Sequence, residues 1–155
     1  MSKHIFWRNL IAGVLLAGLM PQLALAEAGK HAELDSITVY KSPTCGCCSK
    51  WVSHLQENGF EVEAIDQNDM NSVKQAAGIP RKLASCHTAR IDGYIIEGHV
   101  PAADIKRLLQ ERPEVAGLTV PGMPMGSPGM EGHRQDKYDV LTFTESGKTG
   151  IFSRY

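Results

Sequence analysis

A strand that turns directly into a cysteine-rich helix start constrains the fold of this chain more than any other feature. The β-branched and aromatic run SITVY (36–40) is followed by the turn KSPT and then by CGCC, which carries Cys45, Cys47 and Cys48. The apolar residues that come next recur with the spacing of one helix face. The sequence therefore predicts a strand, a tight turn, and a helix whose first turn carries three thiols.

The rest of the pattern predicts the element order β-α-β-α-β-β-α. FEVEAID (60–66) alternates as a strand, and a short helix capped by Asn68 or Asp69 follows it. Asp92-Gly93 separates two β-rich runs as a two-residue hairpin turn, and a third amphipathic helix comes after them. The first two strands are expected to be parallel and the last two antiparallel. We therefore assign the chain to the α/β class, with a C-x-x-C pair at the position where thioredoxin-like proteins carry theirs.

The N-terminal residues are typical of a secretory signal peptide. They combine a basic start, an apolar run shorter than the roughly 20 residues of a spanning helix, and ALA at 24–26, a small-x-small cleavage pattern. We expect a cleaved leader at 1–26, a flexible segment at 27–35 and one domain at 36–155. This organisation predicts export to the periplasm and no stable membrane anchor.

Size indicates a single hydrophobic core, and charge argues against nucleic-acid binding. The chain has 155 residues, which suits one hydrophobic core, and a formal net charge of −1. No basic stripe is present, so we expect no nucleic-acid partner.

Four cysteines carry the chemistry: Cys45, Cys47, Cys48 and Cys86. Unpaired N–H groups and the dipole at a helix N-terminus stabilise thiolates, which both disulfide exchange and metal binding require. A third thiol inside a C-x-x-C pair invites scrambled disulfides, whereas a soft metal can use it as a bridging ligand. Thiolates select Cu(I), Zn(II) or iron–sulfur centres. The spacing therefore favours a metal cluster held by all four cysteines.

Two other interpretations of the cysteines stay open. Four cysteines allow three pairings, and they can form two structural disulfides, for example Cys45–Cys48 with Cys47–Cys86. Alternatively the protein is a thiol–disulfide oxidoreductase, with Cys45 as nucleophile and Cys48 as resolving thiol. The oxidoreductase interpretation leaves Cys47 without a role, whereas the metal interpretation gives it one. Arsenate reduction is a weaker option because no arginine cluster lies beside the cysteines in sequence.

A methionine-rich loop adds a second set of soft donors. Residues 120–133 contain three prolines and four glycines, which no helix or central strand tolerates, and they include Met123, Met125 and Met130. Thioether sulfur favours Cu(I) and needs no deprotonation. Packing of the loop on the core is the alternative role for these methionines. Residues 138–155 then close the chain as a β-hairpin around ESGK.

Histidines supply further candidates. His87 adjoins Cys86, and His133 follows the methionines, so both are possible ligands. His99, in EGHVP, is expected near the same end of the sheet. His54, on the first helix, is expected to be solvated or to pack. For each of them a structural role is an equally good interpretation.

Four segments together resemble a known family. VYKSPTCGCCSKWVSHL, GIPRKLASCHTARIDGYIIEGHVP, GLTVPGMPMGSPGME and YDVLTF are similar to segments of the CopG-type periplasmic copper-resistance proteins, part of a broad group of exported proteins long described as a domain of unknown function. The resemblance runs from about Ile37 to Tyr155. Its motifs, C-x-C-C, S-C-H-T and V-P-G-M-P, are more specific in combination than a bare C-x-x-C.

The resemblance implies a thioredoxin-like fold that binds copper through cysteine sulfur, as a multinuclear Cu(I) cluster with redox chemistry on copper. By position, Cys45, Cys47, Cys48 and Cys86 match the cysteines of the family, and the methionine loop matches as a segment. S-C-H-T stands where thioredoxins place a proline facing the redox pair, which favours a metal ligand there over general disulfide exchange.

We therefore predict a periplasmic copper-binding protein for copper tolerance. Its metal ligands would be the four cysteines, with His87, Met123, Met125 and Met130 as weaker candidates. Copper as Cu(I) is the expected metal, and zinc in the cysteine site is not excluded. Copper ions and other periplasmic copper-handling proteins are the expected partners.

Overall fold

The computed structural model describes residues 35–155, so the predicted leader and nearly all of the predicted flexible segment lie outside the described range. The described strands are β1 Ser36–Lys41, β2 Glu61–Asp66, β3 Thr88–Ile91, β4 Tyr94–Glu97, β5 Gly117–Thr119, β6 Asp139–Phe143 and β7 Thr149–Arg154. The helices are α1 Gly46–Glu57, α2 Met70–Ala76 and α3 Ala102–Glu111, with a 3₁₀ turn at Arg81–Leu83. Within residues 35–155, none of these helices has the length and hydrophobicity to cross a membrane.

All seven strands of the described part form one sheet in the order β2-β1-β3-β4-β5-β6-β7. β1 and β2 are parallel, as α1 crosses from one to the next, and β3 and β4 form an antiparallel hairpin. β6 and β7 form the predicted C-terminal hairpin. This is the α/β, thioredoxin-like architecture that the sequence predicts, with its element order confirmed from β1 to α3.

Two local signals of the sequence account for element boundaries. Asp69 caps α2 by accepting a hydrogen bond from the backbone N–H of Ser72 at 3.1 Å. Asp92 and Gly93 turn the β3–β4 hairpin with φ values of 51° and 87°, the left-handed conformation that a two-residue hairpin turn requires. Both assignments are confirmed.

β5 was not predicted from the sequence. It has only three residues, too few to show an alternating pattern, and its hydrogen-bonding partners lie elsewhere in the chain. It pairs parallel with β4 and antiparallel with β6, and all three of its residues are buried. β5 therefore joins the first four strands to the C-terminal hairpin in one sheet.

The sheet carries a hydrophobic core on each face. Adjacent residues of β4 point to opposite faces, so Ile96 packs in the larger core with α1 and α3, while Ile95 packs in the smaller one with Phe143. On the larger face, Trp51 of α1 donates its Nε1 hydrogen to the carbonyl oxygen of Val100 at 2.9 Å. This contact holds α1 beside the chain segment that precedes α3.

Candidate metal centre

The register of the sheet brings distant chain segments to one end of the molecule. Tyr40, near the end of β1, lies opposite Thr88, the first residue of β3, and Thr88 lies opposite Glu97, the last residue of β4. The cysteine turn after β1, the residues before β3 and the residues after β4 are therefore neighbours. Cys86 and His99, 13 positions apart in sequence, come into contact there.

The Sγ atoms of all four cysteines lie within 4.8 Å of one another. Cys45 and Cys48 form a disulfide, while Cys47 and Cys86 are free thiols. The Sγ of Cys47 is 3.5 Å from the Sγ of Cys45. Of the two bridges in the structural-disulfide interpretation, the structure contains Cys45–Cys48 and not Cys47–Cys86. The four sulfurs are gathered in one place, and their role as metal ligands stays a prediction.

The start of α1 presents the cysteines. Cys45 is the N-cap, and its Sγ accepts a hydrogen bond from the backbone N–H of Cys48 at 3.3 Å. Cys48 is fully buried, whereas Cys45 and Cys47 are partly exposed. The helix N-terminus therefore directs its N–H groups and positive dipole end at the sulfur cluster, which stabilises negative charge on it.

Two buried histidines flank Cys86. Its Sγ lies 3.0 Å from Nε2 of His99 and 3.2 Å from Nδ1 of His87. His99 Nδ1 lies 2.7 Å from the carbonyl oxygen of Pro128, which can only accept, so Nδ1 carries the proton and Nε2 presents a lone pair to Cys86. Nε2 of His87 has no hydrogen-bond partner among the described residues. One nitrogen from each of the two imidazoles thus contacts the sulfur atom of Cys86.

Burial sets the protonation of this trio. It raises the pKa of the Cys86 thiol to about 12, and the neighbouring Cys47 adds to the effect. Burial also lowers the pKa of His87 well below its usual value, and electrostatic repulsion from His99 and Lys74 lowers it further. Burial likewise lowers the pKa of His99. The protein alone therefore holds a neutral thiol between two neutral imidazoles. A bound cation would reverse the balance by stabilising the thiolate.

A buried ion pair holds the loop that carries Cys86. Glu97, fully buried, accepts a hydrogen bond from the backbone N–H of Ser85 at 2.6 Å and another from the Thr88 hydroxyl at 2.7 Å. Lys74 of α2 lies 2.6 Å from the same carboxylate. The sequence analysis missed this pair. A glutamate at the end of the otherwise apolar run YIIE is the signal that could have indicated it.

The methionine-rich loop, residues 120–133, covers the cluster. It contains neither helix nor strand, as predicted. A side chain at Gly129 would place its Cβ 2.7 Å from the carbonyl oxygen of Cys47, so the loop backbone lies directly on the first turn of α1. Met123 is 54% exposed, and Met125 and Met130 are partly buried. Whether any of these thioethers binds metal stays a prediction.

The remaining histidines lie outside the cluster. His54 accepts a hydrogen bond from the backbone N–H of Ala102 at 3.1 Å and so caps the start of α3. His133 is exposed and belongs to neither donor group found in residues 35–155. His99, in contrast, is fully buried and touches Cys86. Of the two histidines that sequence proximity favoured, His87 lies at the cluster and His133 does not.

The donor set suits soft and borderline metals. Four sulfur atoms within 4.8 Å match the preference of Cu(I) for thiolates, and the adjoining imidazoles are ligands for copper and zinc. Neither donor group found in residues 35–155 includes a carboxylate, the ligand that magnesium and calcium require. The arrangement therefore fits a thiophilic ion.

Comparison with known proteins supports this assignment. A sequence profile described as a protein of unknown function, DUF411, matches residues 83–130, which include Cys86, both buried histidines and the methionines of the loop. No curated protein sequence matches the chain significantly. Two solved structures do match, titled copper resistance protein CopG, form 2 and form 1.

The similarity to those structures is extensive. Both are 49% identical to this chain and cover 79% of it. The match spans 99% of the first structure with a TM-score of 0.76, and 98% of the second with a TM-score of 0.75. The chain therefore belongs to the CopG family of copper resistance proteins.

Proposed function

We propose that this chain is an exported copper-binding protein that contributes to copper tolerance, and that it holds Cu(I) through Cys45, Cys47, Cys48 and Cys86. The observation that carries the proposal is the convergence of four cysteine sulfurs within 4.8 Å at a helix N-terminus. Membership of the CopG family supports the copper-related role. The site is expected to hold several copper ions, because thiolate sulfur bridges Cu(I) readily.

Reduction of the Cys45–Cys48 disulfide is the step that completes the site. A dithiol reductant, itself oxidised to a disulfide, supplies the two electrons and two protons that convert Cys45–Cys48 into two thiols, which lose their protons as copper binds. The N–H groups of the first turn of α1 and the bound cations both stabilise the resulting thiolates. The methionine-rich loop lies over this turn, where it can supply a thioether or exclude water.

The same pair can couple copper to thiol chemistry. Oxidation of the Cys45 and Cys48 thiolates to a disulfide releases two electrons, which reduce two Cu(II) ions to two Cu(I) ions. Measurement of free thiols before and after Cu(II) addition to the reduced protein tests this step. A loss of two thiols per chain is expected, and an unchanged count would contradict it.

The export assignment rests on the leader pattern at residues 1–26 and on the family relationship. In an oxidising compartment a dithiol persists only if a partner reduces it or a metal protects it. Other exported copper-handling proteins are therefore the expected partners of this chain. N-terminal sequencing of the secreted protein tests the leader: cleavage after Ala26 is the expected result.

Anaerobic titration tests the copper site. Reduced protein lacking the leader is titrated with Cu(I) against a competing chelator, in parallel with Cys47→Ser and with Ser53→Ala, a matched change on an exposed position of α1. We expect several copper ions per chain, fewer in Cys47→Ser, and no change in Ser53→Ala. Binding no tighter than that of an ordinary dithiol, unaffected by Cys47→Ser, would overturn the proposal.

One observation favours a second function. The disulfide joins a partly exposed Cys45 at the helix N-terminus to a fully buried Cys48, which is the asymmetry of a thiol–disulfide oxidoreductase. That activity predicts that Cys45→Ser abolishes reduction of a disulfide substrate while Cys47→Ser retains it. The copper function predicts that Cys47 matters as much as Cys45 for metal binding.

A further inference from the structure

We propose that Cys86, His87 and His99 form a second metal site, with one thiolate and two imidazole ligands, that binds a divalent ion of borderline softness while Cys45 and Cys48 remain joined. The site shares Cys86 with the four-cysteine site. It rests on the proposed function for the assignment of Cu(II) as its physiological ion, and Zn(II) fits the same donors.

The three ligand atoms lie at distances that suit one ion. They are all within 4.8 Å of one another, with the Cys86 sulfur 3.0 Å from His99 Nε2 and 3.2 Å from His87 Nδ1. A tetrahedral ion with bonds of about 2.3 Å to sulfur and about 2.0 Å to nitrogen separates such donors by roughly 3.5 Å. Movements of a few tenths of an ångström therefore bring the two sulfur–nitrogen pairs to that separation.

His99 is already oriented as a ligand. Its Nδ1 hydrogen is donated to the carbonyl oxygen of Pro128 at 2.7 Å, so its Nε2 lone pair faces Cys86. Metal-binding histidines characteristically donate their other ring hydrogen to a carbonyl or carboxylate, which fixes both tautomer and ring orientation.

The hydrogen bonds of His87 are left incomplete by the protein alone. If Nε2 carries the proton, the lone pairs of His87 Nδ1 and His99 Nε2 both face Cys86, which has one proton to give. If Nδ1 carries it, the Nε2 lone pair is buried without a partner among the described residues. Buried polar groups normally have partners, because leaving one unpaired costs free energy. One cation in place of the thiol proton accepts both lone pairs that face Cys86, those of His87 Nδ1 and His99 Nε2.

The trio is independent of the disulfide. None of its members is joined to Cys45 or Cys48. Their donors therefore remain available in the disulfide form, in which only two of the four cysteines are free thiols. Cys47 or a water molecule can complete the coordination. The pocket would therefore offer sulfur ligands to Cu(I) when reduced and mixed ligands to a divalent ion when oxidised.

The test uses the disulfide form and Co(II). Protein lacking the leader, with its Cys45–Cys48 bridge verified by mass spectrometry, is titrated with Co(II), and bound Co(II) is then displaced with Zn(II). We expect one Co(II) per chain, the intense visible bands of tetrahedral Co(II), and a thiolate-to-cobalt charge-transfer band. Weak binding with the pale spectrum of octahedral Co(II) would overturn the proposal.

Variants identify the ligands. His99→Gln is expected to weaken Co(II) binding by about 100-fold, and Cys86→Ser to remove the charge-transfer band. His54→Gln serves as the control, because His54 is a partly buried histidine that lies outside the trio. The near-UV circular dichroism of Trp51 verifies that each variant is folded. If His99→Gln is misfolded, the loss or retention of the charge-transfer band in Cys86→Ser decides whether the trio binds the metal. Wild-type affinity in a folded His99→Gln, or a retained band in Cys86→Ser, would contradict the assignment.

The two metal proposals fail separately. Cys47→Ser tests Cu(I) binding by the reduced protein, and His99→Gln tests Co(II) binding by the disulfide form. Co(II) binding without a Cu(I) cluster would overturn only the proposed function. Cu(I) binding without the Co(II) site would overturn only this inference.

Discussion

His99 donates a hydrogen bond from Nδ1 to the carbonyl oxygen of Pro128 at 2.7 Å. The contact joins the segment after β4 to the methionine-rich loop, and it fixes the ring so that Nε2 lies 3.0 Å from the Cys86 sulfur. A loop with no regular secondary structure thus determines which nitrogen of a buried histidine faces the cluster. Loop placement and metal affinity should therefore change together.

Gly129→Ala is expected to detach the loop. Gly129 has a φ of +84°. A Cβ there would lie 2.7 Å from the Cys47 carbonyl oxygen and 3.0 Å from the backbone nitrogen of Trp51. Gly122 has a similar φ of +72° with nothing within 4 Å, so Gly122→Ala isolates the backbone cost of about 1 kcal/mol. The steric clash at Gly129 should add about 1–3 kcal/mol.

Urea unfolding of the two variants measures the difference in their stability. Co(II) titration of their disulfide forms measures how displacement of the loop changes metal affinity. Gly129→Ala should weaken Co(II) binding because His99 loses its acceptor, while Gly122→Ala should leave it unchanged. Equal stabilities of the two variants would show that the loop does not pack against α1 in solution.

Two lysine–carboxylate pairs of equal length should contribute very differently to stability. The nitrogen–oxygen distance is 2.6 Å in both Lys74–Glu97 and Lys41–Asp66, but the Glu97 side chain is fully buried whereas that of Asp66 is 57% exposed. Lys74→Met leaves the Glu97 carboxylate buried without its counter-charge and should cost about 3 kcal/mol. Lys41→Met removes a surface pair and should cost about 0–1 kcal/mol. Chemical denaturation of both variants checks the ranking, which fails if the two losses are alike.

The C-terminal hairpin should weaken at high pH. The Tyr155 hydroxyl donates to the buried Asp104 carboxylate at 2.8 Å, and burial together with this contact raises the pKa of Tyr155 to about 12. In the unfolded chain the phenol titrates near pH 10. The folded state thus holds its proton more tightly, and the contribution of Tyr155 to stability is complete below pH 10 and lost as the pH rises towards 12.

The free energy of unfolding should decline over a pH range of roughly 8 to 11.5, which is set by those two pKa values. Tyr155→Phe should make this decline shallower. Burial raises the pKa of Tyr138 to about 12 as well, so some decline should remain in the variant. A wild-type profile that matches Tyr155→Phe at every pH would contradict the prediction.

Trp51 should report metal binding directly. Its ring lies 4.3 Å from that of His87, centroid to centroid, and it is the only tryptophan of the chain beyond the predicted leader. Addition of Cu(II) or Co(II) to the disulfide form should quench its fluorescence, whereas Zn(II), a closed-shell ion, should bind with little quenching and restore the signal by displacement. Quenching that is as strong in His99→Gln would indicate binding elsewhere.

The local features of the fold could be predicted from the sequence because each depends on neighbouring residues. The β-α-β order follows from hydrophobic periodicity, the α2 cap from Asp69 and the β3–β4 turn from Asp92-Gly93. The concentration of thiols at the start of α1 follows from CGCC itself. Proline and glycine in residues 120–133 likewise exclude regular structure there.

What the sequence could not supply are contacts between distant segments. β5 is a strand only because β4 and β6 flank it, and three residues carry no periodic signal. The choice of Cys48 as the partner of Cys45, and the burial of Glu97 beneath the Cys86 loop, depend on how the sheet is assembled.

The sequence by itself determined that thiols, histidines and a methionine-rich loop belong to a chain of the α/β class, because composition and local pattern suffice for that. Only the tertiary structure decided that Cys86, His87, His99 and Pro128 meet. The antiparallel register of β3 with β4 brings the first three together, and the loop that follows β5, the other neighbour of β4, carries Pro128. Register is a property of paired strands, and no single stretch of sequence contains it.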